Sequence, residues 1–290
     1  MHTLLLLELV KKISVCHVSG VNGFSLIDRM CAQFFLNFSK WSKRILFLFT
    51  YCTVRNRTPK ILFEYDDSSA TCIAVNNVVR EAVWSKKYKK SFSIRNLEGM
   101  SGQRFGKLLN SLIHELSVMR YLEVGTFRGS TVISALDQNH ECFALVVDDF
   151  SQFGAQKEKL ITNLKKFHLS TRVKLIDDDF RDHTQEMRNF APQVYFYDGP
   201  HDDESHIFAA ELLRELDIDS EVIFIVDDWN WTTVRESTWK GIDKSKVLVK
   251  GKWEIFSDAR DRGGQFGNWH NGCLISVLAP KANSSNALKL

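Results

Sequence analysis

No CxxC pair occurs anywhere in the chain. Its six cysteines (Cys16, Cys31, Cys52, Cys72, Cys142 and Cys273) are scattered. That spacing argues against a zinc knuckle or a dithiol redox centre, and reduced, inert thiols in a cytoplasmic protein are expected instead. No GxxxxGK[ST] sequence exists, which counts against a P-loop nucleoside triphosphatase. Long apolar runs are also missing. Leu4–Leu7 is broken by Glu8 before a signal-peptide core is complete. Ile45–Val54, flanked by Lys43, Arg44, Arg55 and Arg57, falls well short of the roughly 20 apolar residues that span a membrane. It is read as a buried helix or strand, and no membrane span is expected. Neither sign of charge predominates. A formal net charge of +3 over 290 residues says nothing for or against a polyanionic partner, because binding depends on a clustered patch. The basic stretch Trp84–Lys90 reads as a solvated helix face. Its interleaved Trp84 and Tyr88 are weak evidence for a nucleic-acid strand, so no nucleic-acid partner is expected. Asn37 and Asn56 match the glycosylation pattern, as short segments commonly do by chance.

What is present is an ordinary core-forming composition, 44% hydrophobic and 25% charged. Residues 1–95 show no steady alternation of strands and helices and are expected to be an appendage. From Gly102 the pattern sharpens. Phe105, Leu108, Leu109, Leu112, Ile113 and Leu116 recur at helical spacing. Short apolar runs then alternate with helical stretches: Tyr121–Val124, Phe143–Val147, Val173–Ile176, Val194–Tyr197 and Val222–Val226. Their near-continuous apolar character suits strands buried on both faces of a parallel sheet. Repeated strand–helix units predict right-handed crossovers and a doubly wound α/β sheet. After Lys246 the runs Val247–Val249, Trp253–Phe256 and Leu274–Leu278 have no obvious helix between them, and Asn271-Gly272 signals a tight turn. An antiparallel C-terminal hairpin is therefore expected to finish the sheet. The domain is expected to span residues 96–280, followed by a disordered tail at 281–290.

The most informative feature is positional. Glu123 lies in the first parallel strand, and Asp148 and Asp149 follow the second. Asp177, Asp178 and Asp179 follow the third, Asp198 the fourth, and Asp227 and Asp228 the fifth. In an open α/β sheet these strand ends share one edge, where ligands bind. Acids that merely cap the following helices account for one or two of these positions, and account less well for five in succession. Such an edge repels a polyanion. It suits ribose hydroxyls, an ammonium group and a cationic sulfur. The loop Glu123–Thr131 follows a strand and opens a helix. Gly125 permits a sharp turn and Gly129 a close backbone approach, while Phe127 stands where GxGxxG has its middle glycine. That departure weighs against a dinucleotide, whose pyrophosphate wants bare N–H groups.

The combination Glu123-x-Gly125-x-x-x-Gly129, followed at the expected interval by Asp148, resembles the first motifs of class I S-adenosylmethionine-dependent methyltransferases. Tyr197–His201 resembles the DGxH motif of a branch that includes bacterial sugar and natural-product O-methyltransferases, and Val226–Asn230 resembles that branch's next motif. The resemblance covers roughly residues 96–280. It implies a Rossmann-like, mostly parallel seven-stranded sheet. It also implies S-adenosylmethionine as cofactor, with Glu123, Gly125, Thr126, Phe127, Gly129 and Ser130 around its methionine part. Asp148 would hold the ribose, Asp179 and Phe180 the adenine, and Asp198 would lie near the methyl group. Metal-dependent relatives usually carry Asp-Asn where this chain has Asp227-Asp228. Asp198, Asp227 and Asp228 are nonetheless candidate ligands for a hard cation such as Mg²⁺.

His201 is the candidate general base, since an imidazole can take a hydroxyl proton near neutral pH. The competing reading is a histidine in the turn that caps a helix at Asp202 and Asp203. His206, Trp229, Trp231, Trp269 and His270 are candidates for an acceptor pocket. The leading expectation is O-methylation of a small hydroxylated acceptor such as a sugar. A nicotinamide or nucleotide-sugar oxidoreductase and a non-catalytic cofactor-binding module are the alternatives. Because every acid of the series lies after Leu97, a chain starting near Ser93 is expected to fold and bind cofactor.

Overall fold

Strand β2 (Arg120–Val124) lies at the middle of the five parallel strands, paired with β3 (Phe143–Val147) on one side and β5 (Val194–Tyr197) on the other. Beyond β3 lies β4 (Val173–Ile176), and beyond β5 lies β6 (Val222–Asp227), both again parallel. The last three strands are antiparallel. β8 (Cys273–Ala279) pairs with β6 and β7 (Leu248–Phe256), and β7 pairs with β1 (Lys60–Tyr65). The order is β1-β7-β8-β6-β5-β2-β3-β4, a Rossmann-like, mostly parallel doubly wound sheet with an antiparallel C-terminal hairpin. This computed structural model describes residues 59–85, 94, 97–154, 156–216, 221–258 and 268–281. The runs Leu4–Leu7 and Ile45–Val54, Asn37, Asn56, Cys16, Cys31 and Cys52 lie outside the described residues. So do residues 86–90 of the basic stretch and the tail from 282. Among the described residues, no helix is long and apolar enough to cross a membrane.

Alternation along each strand explains the two cores. Tyr121, Ala144, Val146, Phe196 and Ile225 face one layer, built from α1 (Ala70–Trp84), α2 (Gln103–Glu115), α3 (Ser130–Leu136) and α4 (Lys157–Lys166). Their sequence neighbours Leu122, Leu145, Val147, Tyr195 and Val226 face the other. That second layer is built from α5 (Thr184–Phe190), α6 (Asp203–Glu211) and α7 (Thr232–Ser245). Period-two side-chain placement with both faces covered makes each strand read as continuously apolar. The chain moves outward from β2 through β3 to β4 and then returns to the far side of β2 as β5. This reversal opens a crevice at the carboxyl ends of β2 and β5.

Two expectations need correction. Residues 60–84 are part of the sheet domain, so its boundary lies before residue 60 and the sheet has eight strands instead of seven. The ladder from Lys60↔Phe256 to Tyr65↔Gly251 joins segments far apart in the chain, so no local strand–helix rhythm announces it. α1 is bound just as firmly. Ser69 caps it by accepting from the Cys72 amide at 3.2 Å, and Cys72, Val75, Val78, Val79, Ala82 and Val83 are all buried. The buried indole of Trp253 on β7 donates to Asn76 at 3.2 Å. Second, the expected runs Val247–Val249 and Trp253–Phe256 fall, from Leu248 on, in one strand, β7, whose register shifts between Val249 and Gly251. That irregularity interrupts the pattern and makes one strand look like two.

A chain starting at Ser93 would lose β1 and α1 and leave Trp253 and its neighbours without their cover. Each fully buried Val-sized side chain contributes roughly 1.5–3 kcal/mol, so the loss is comparable to the whole stability of an ordinary domain. Such a chain is expected to aggregate or to lack a cooperative melt. Gel filtration and circular dichroism would check this, and a monomer melting like the full-length protein would refute it.

Candidate functional site

The five parallel strands deliver their following residues to one edge. After β2 the chain turns through Gly125 (φ +85°), Phe127 (φ +50°) and Gly129 (φ +84°) into α3. A Cβ on Gly125 would lie 1.9 Å from the carbonyl oxygen of Asp198, so the loop rests directly on the end of β5. Asp148 ties the loop to β3. It accepts from the Phe127 amide at 2.6 Å and from the Phe150 amide at 2.7 Å. Burial raises the Asp148 carboxyl above its ordinary range, and these two N–H groups oppose the rise.

Glu123 lies behind the loop. It is fully buried, accepting from the Tyr121 hydroxyl at 2.5 Å and the Thr131 hydroxyl at 2.6 Å. It therefore joins β2 to the start of α3 and does not line the cleft. Burial pushes its carboxyl up to about 7, against the hydrogen bonds from Thr131 and Tyr121. Thr126 and Gly129 also stand behind the lining, and Ser130 packs against Gly99.

The cleft has a volume of about 340 Å³, and Gly125, Phe127, Asp148, Asp179, Asp198 and His201 all line it. At its β4 end the acids are already paired. Lys157 meets Asp177 at 2.5 Å, and His183 Nε2 lies 3.0 Å from Asp178. Arg181 grips Asp179 through Nε and a terminal nitrogen, and the Arg181 amide donates to the same carboxylate at 2.9 Å. Arg181 itself lines the cleft, and sequence pattern does not single it out, because a pairing across two residues in a turn has no helix or strand period to mark it. Phe180 is buried, its ring centroid 5.6 Å from those of Tyr197 and Phe208.

The other end of the cleft holds a tighter group. His201 Nε2 is 2.7 Å from Asp228 Oδ2 and 3.8 Å from Asp198 Oδ1. Ligand atoms of Asp198, His201 and Asp228 all lie within 4.8 Å of one another. Burial, together with the nearby charges of Asp227 and Asp228, drives the Asp198 carboxyl well above its usual range. Burial also works against charge on Asp228, but hydrogen bonds from His201 and Asn271 outweigh it and hold that carboxyl below the usual range. Asp227 is not in the group. It ends β6 opposite Cys273, nearly fully buried, and burial beside Asp228 raises its carboxyl strongly. The expected trio of Asp198, Asp227 and Asp228 thus becomes Asp198, His201 and Asp228. Consecutive strand residues point to opposite faces, so Asp227 and Asp228 cannot both face one centre while the strand continues. Asp228 reaches it by leaving the strand in a left-handed conformation, φ +54°.

The expected acceptor residues divide by burial. Trp229 and Trp269 are 0% and 1% exposed and are packing residues. His206 is buried against Thr238, and burial next to His201 lowers it to about 4, so it is neutral. Trp231 alone of the three tryptophans is open, 41% exposed, with its ring 5.3 Å from that of His201. Asp202 serves as the cap of α6, accepting from the Ser205 amide at 2.8 Å, which leaves His201 outside the helix.

No family model and no curated protein matches the chain. Solved structures do align with it. Cofactor-bound Rv0187 from MTB is 14% identical over 73% of this chain and 91% of its own, with a TM-score of 0.48. The O-methyltransferase from Bacillus cereus in complex with SAH is 15% identical over 71% and 90%, TM-score 0.44. The O-methyltransferase TomG from Streptomyces achromogenes, involved in tomaymycin synthesis and bound to SAM, is 13% identical over 73% and 90%, TM-score 0.46. All three scores lie below 0.5, and the fold is assigned from strand order and register alone.

Glu123 makes stability depend on pH. Its folded pKa of about 7 is above the ordinary 4.5, so its contribution is fully present below pH 4.5 and is lost as pH rises to about 7. The loss is on the order of 3 kcal/mol. Glu123→Gln keeps the shape without the charge. Its melting temperature is expected to match that of the unsubstituted protein near pH 4.5 and to exceed it at pH 8. Equal melting temperatures at pH 8 would contradict this.

Proposed function

We propose that this chain is an S-adenosylmethionine-dependent O-methyltransferase acting in the cytoplasm on a small hydroxylated acceptor such as a sugar. The observation that carries the reading is the continuity of one cleft, which runs from the Gly125 turn and Asp148 to Asp198 and His201. Its first half suits the cofactor. A glycine turn with buried acids around it attracts ammonium and sulfonium charge, and Asp148 retains lone pairs for ribose hydroxyls. Asp179, paired with Arg181, lines the cleft where an adenine amino group would lie. The Phe127 amide is committed to Asp148 and is not free for a pyrophosphate, which weighs against a dinucleotide.

The second half suits the chemistry. Methyl transfer breaks the carbon–sulfur bond and forms a carbon–oxygen bond, and the acceptor's hydroxyl proton must leave. His201 is the base. Its Nε2 proton is donated to Asp228, so Nδ1 is the nitrogen with a free lone pair. Asp228 fixes the ring and stabilises the imidazolium once the proton has moved. Asp198 and Asp228 also fit a divalent cation such as Mg²⁺. They are hard oxygen ligands, and a positive ion would offset the burial and the neighbouring negative charge that raise the Asp198 carboxyl. When bound, such an ion supplies Lewis acidity that lowers the pKa of the acceptor hydroxyl. The open face of Trp231 next to His201 gives an acceptor ring an apolar surface to rest on.

Calorimetric titration with S-adenosylmethionine, NAD and ATP is the test, and only the first is expected to bind. Asp148→Ala removes a charged acceptor, and affinity is expected to fall at least about tenfold. His201→Ala is expected to keep cofactor affinity and lose turnover across a panel of sugars and phenols. NAD binding without S-adenosylmethionine binding would sink the proposal.

A further inference from the structure

The turn that leads into β8, residues 268–272, lies against the carboxyl end of β6, and a chain of hydrogen bonds holds it there. The Asn230 amide donates to the Asn271 carbonyl at 2.8 Å, and the Trp229 amide reaches the Gly272 carbonyl at 3.4 Å. The Asn230 side chain donates to the Ser257 carbonyl at 3.0 Å and accepts from the Ser257 amide at 3.2 Å. The Ser257 hydroxyl in turn donates to the His270 carbonyl at 2.5 Å. Gly272, at φ +79°, brings the turn so close that a Cβ there would lie 2.2 Å from the Ile255 carbonyl oxygen. The backbone of Asn271 is therefore fixed relative to Asp228 before its own side chain is considered.

From that position the Asn271 amide nitrogen donates to Asp228 Oδ1 at 2.6 Å, in a buried setting. His201 occupies the other oxygen, Oδ2, at 2.7 Å. A carboxylate can rotate about its terminal torsion, which has broad minima. Here one oxygen is held by a group anchored in the hairpin, and that defines where the second oxygen points. His201 comes from the loop after β5 and cannot supply that constraint, because it is the group being aimed at.

We propose that Asn271 is a positioning residue: it orients the Asp228 carboxylate, and through it His201 and any cation held with Asp198. This rests on the reading of that cluster as the reaction centre. It gives the Asn271-Gly272 turn a task beyond chain reversal. The glycine permits the approach, and the asparagine supplies the donor.

Two substitutions separate this task from a turn-forming one. Serine suits a tight turn about as well as asparagine, but its hydroxyl is too short to reach Asp228. Leucine keeps the size of the side chain and removes the donor. The readouts are Mn²⁺ affinity by electron paramagnetic resonance titration, S-adenosylmethionine affinity by calorimetry, and the His201–Asp228 distance in crystals of the metal-free variants. Asn271→Ser and Asn271→Leu are expected to bind Mn²⁺ at least tenfold more weakly, with S-adenosylmethionine affinity unchanged. In both, the Asp228 carboxylate is expected to rotate beyond hydrogen-bonding distance of His201. Unaltered Mn²⁺ affinity in either folded variant would overturn the inference, as would a His201–Asp228 separation still at 2.7 Å. If only the serine variant folds, it decides alone. If the unsubstituted protein binds no Mn²⁺, the crystallographic distance decides this inference. Failure of the unsubstituted protein to bind S-adenosylmethionine counts against the methyltransferase reading alone.

Discussion

No side chain fits at residue 125. The carbonyl oxygen of Asp198 occupies the space where a Cβ would stand, 1.9 Å away. That close approach is what the rest of the site depends on. It lets the loop after β2 lie flat on the end of β5, at the one place where the sheet order reverses. The Asp198 amide completes the join by donating to the Val124 carbonyl at 2.8 Å, and the Gly125 amide donates to the Val147 carbonyl at 2.9 Å. Three strand ends are thereby locked together by backbone alone. The side chains that follow them, Asp148 after β3 and Asp198 and His201 after β5, inherit positions that need little adjustment of their own.

The acids at this edge have different fates, and the differences are physical. Glu123 is enclosed by two hydroxyl donors and acts as an internal brace. Asp177, Asp178 and Asp179 stand at the open β4 edge, where cationic partners reach them through solvent-exposed geometry of modest energetic value. Asp198, Asp227 and Asp228 lie close together with no lysine or arginine among their bonded partners in the described residues. There, desolvation and mutual repulsion together raise the carboxyls of Asp198 and Asp227 well above the usual range. Asp228 alone of the three is held below the usual range, because a histidine and an asparagine both hydrogen-bond to it. Residues that share one place in the sequence pattern thus divide into brace, rim and centre according to what surrounds them.

The legible part of the site is the part written in local sequence. Gly125, Asp148, Asp198 and His201 each follow a strand that the apolar runs reveal, and strand ends in a parallel sheet converge by topology. Glu123 reads as a ligand contact because a carboxylate inside a strand looks anomalous. Its actual partners, Tyr121 and Thr131, lie two and eight positions away, and nothing in their spacing sets them apart from residues that merely pack. Asn271 reads only as a turn signal, since the asparagine of an Asn-Gly pair is explained well enough by backbone conformation. Trp229, Trp231 and Trp269 are indistinguishable by type, and burial alone separates the open one from the two packed ones.

The sequence by itself determined the alternation of strands and helices from residue 102 onward, the parallel sense of five strands, and the gathering of acids at one edge. These follow from hydrophobic period and chain connectivity, which are local. Tertiary structure decided what depends on distant segments meeting. It recruited Lys60–Trp84 into the sheet through a ladder to β7, and it replaced Asp227 by His201 in the central group. It also brought Asn271 from the C-terminal hairpin to Asp228. A ladder between remote strands or a left-handed residue at a strand end changes the direction of a side chain without changing the residue pattern around it. For that reason the edge and the residues that follow its strands could be read in advance, while the partners each of those side chains meets there could not.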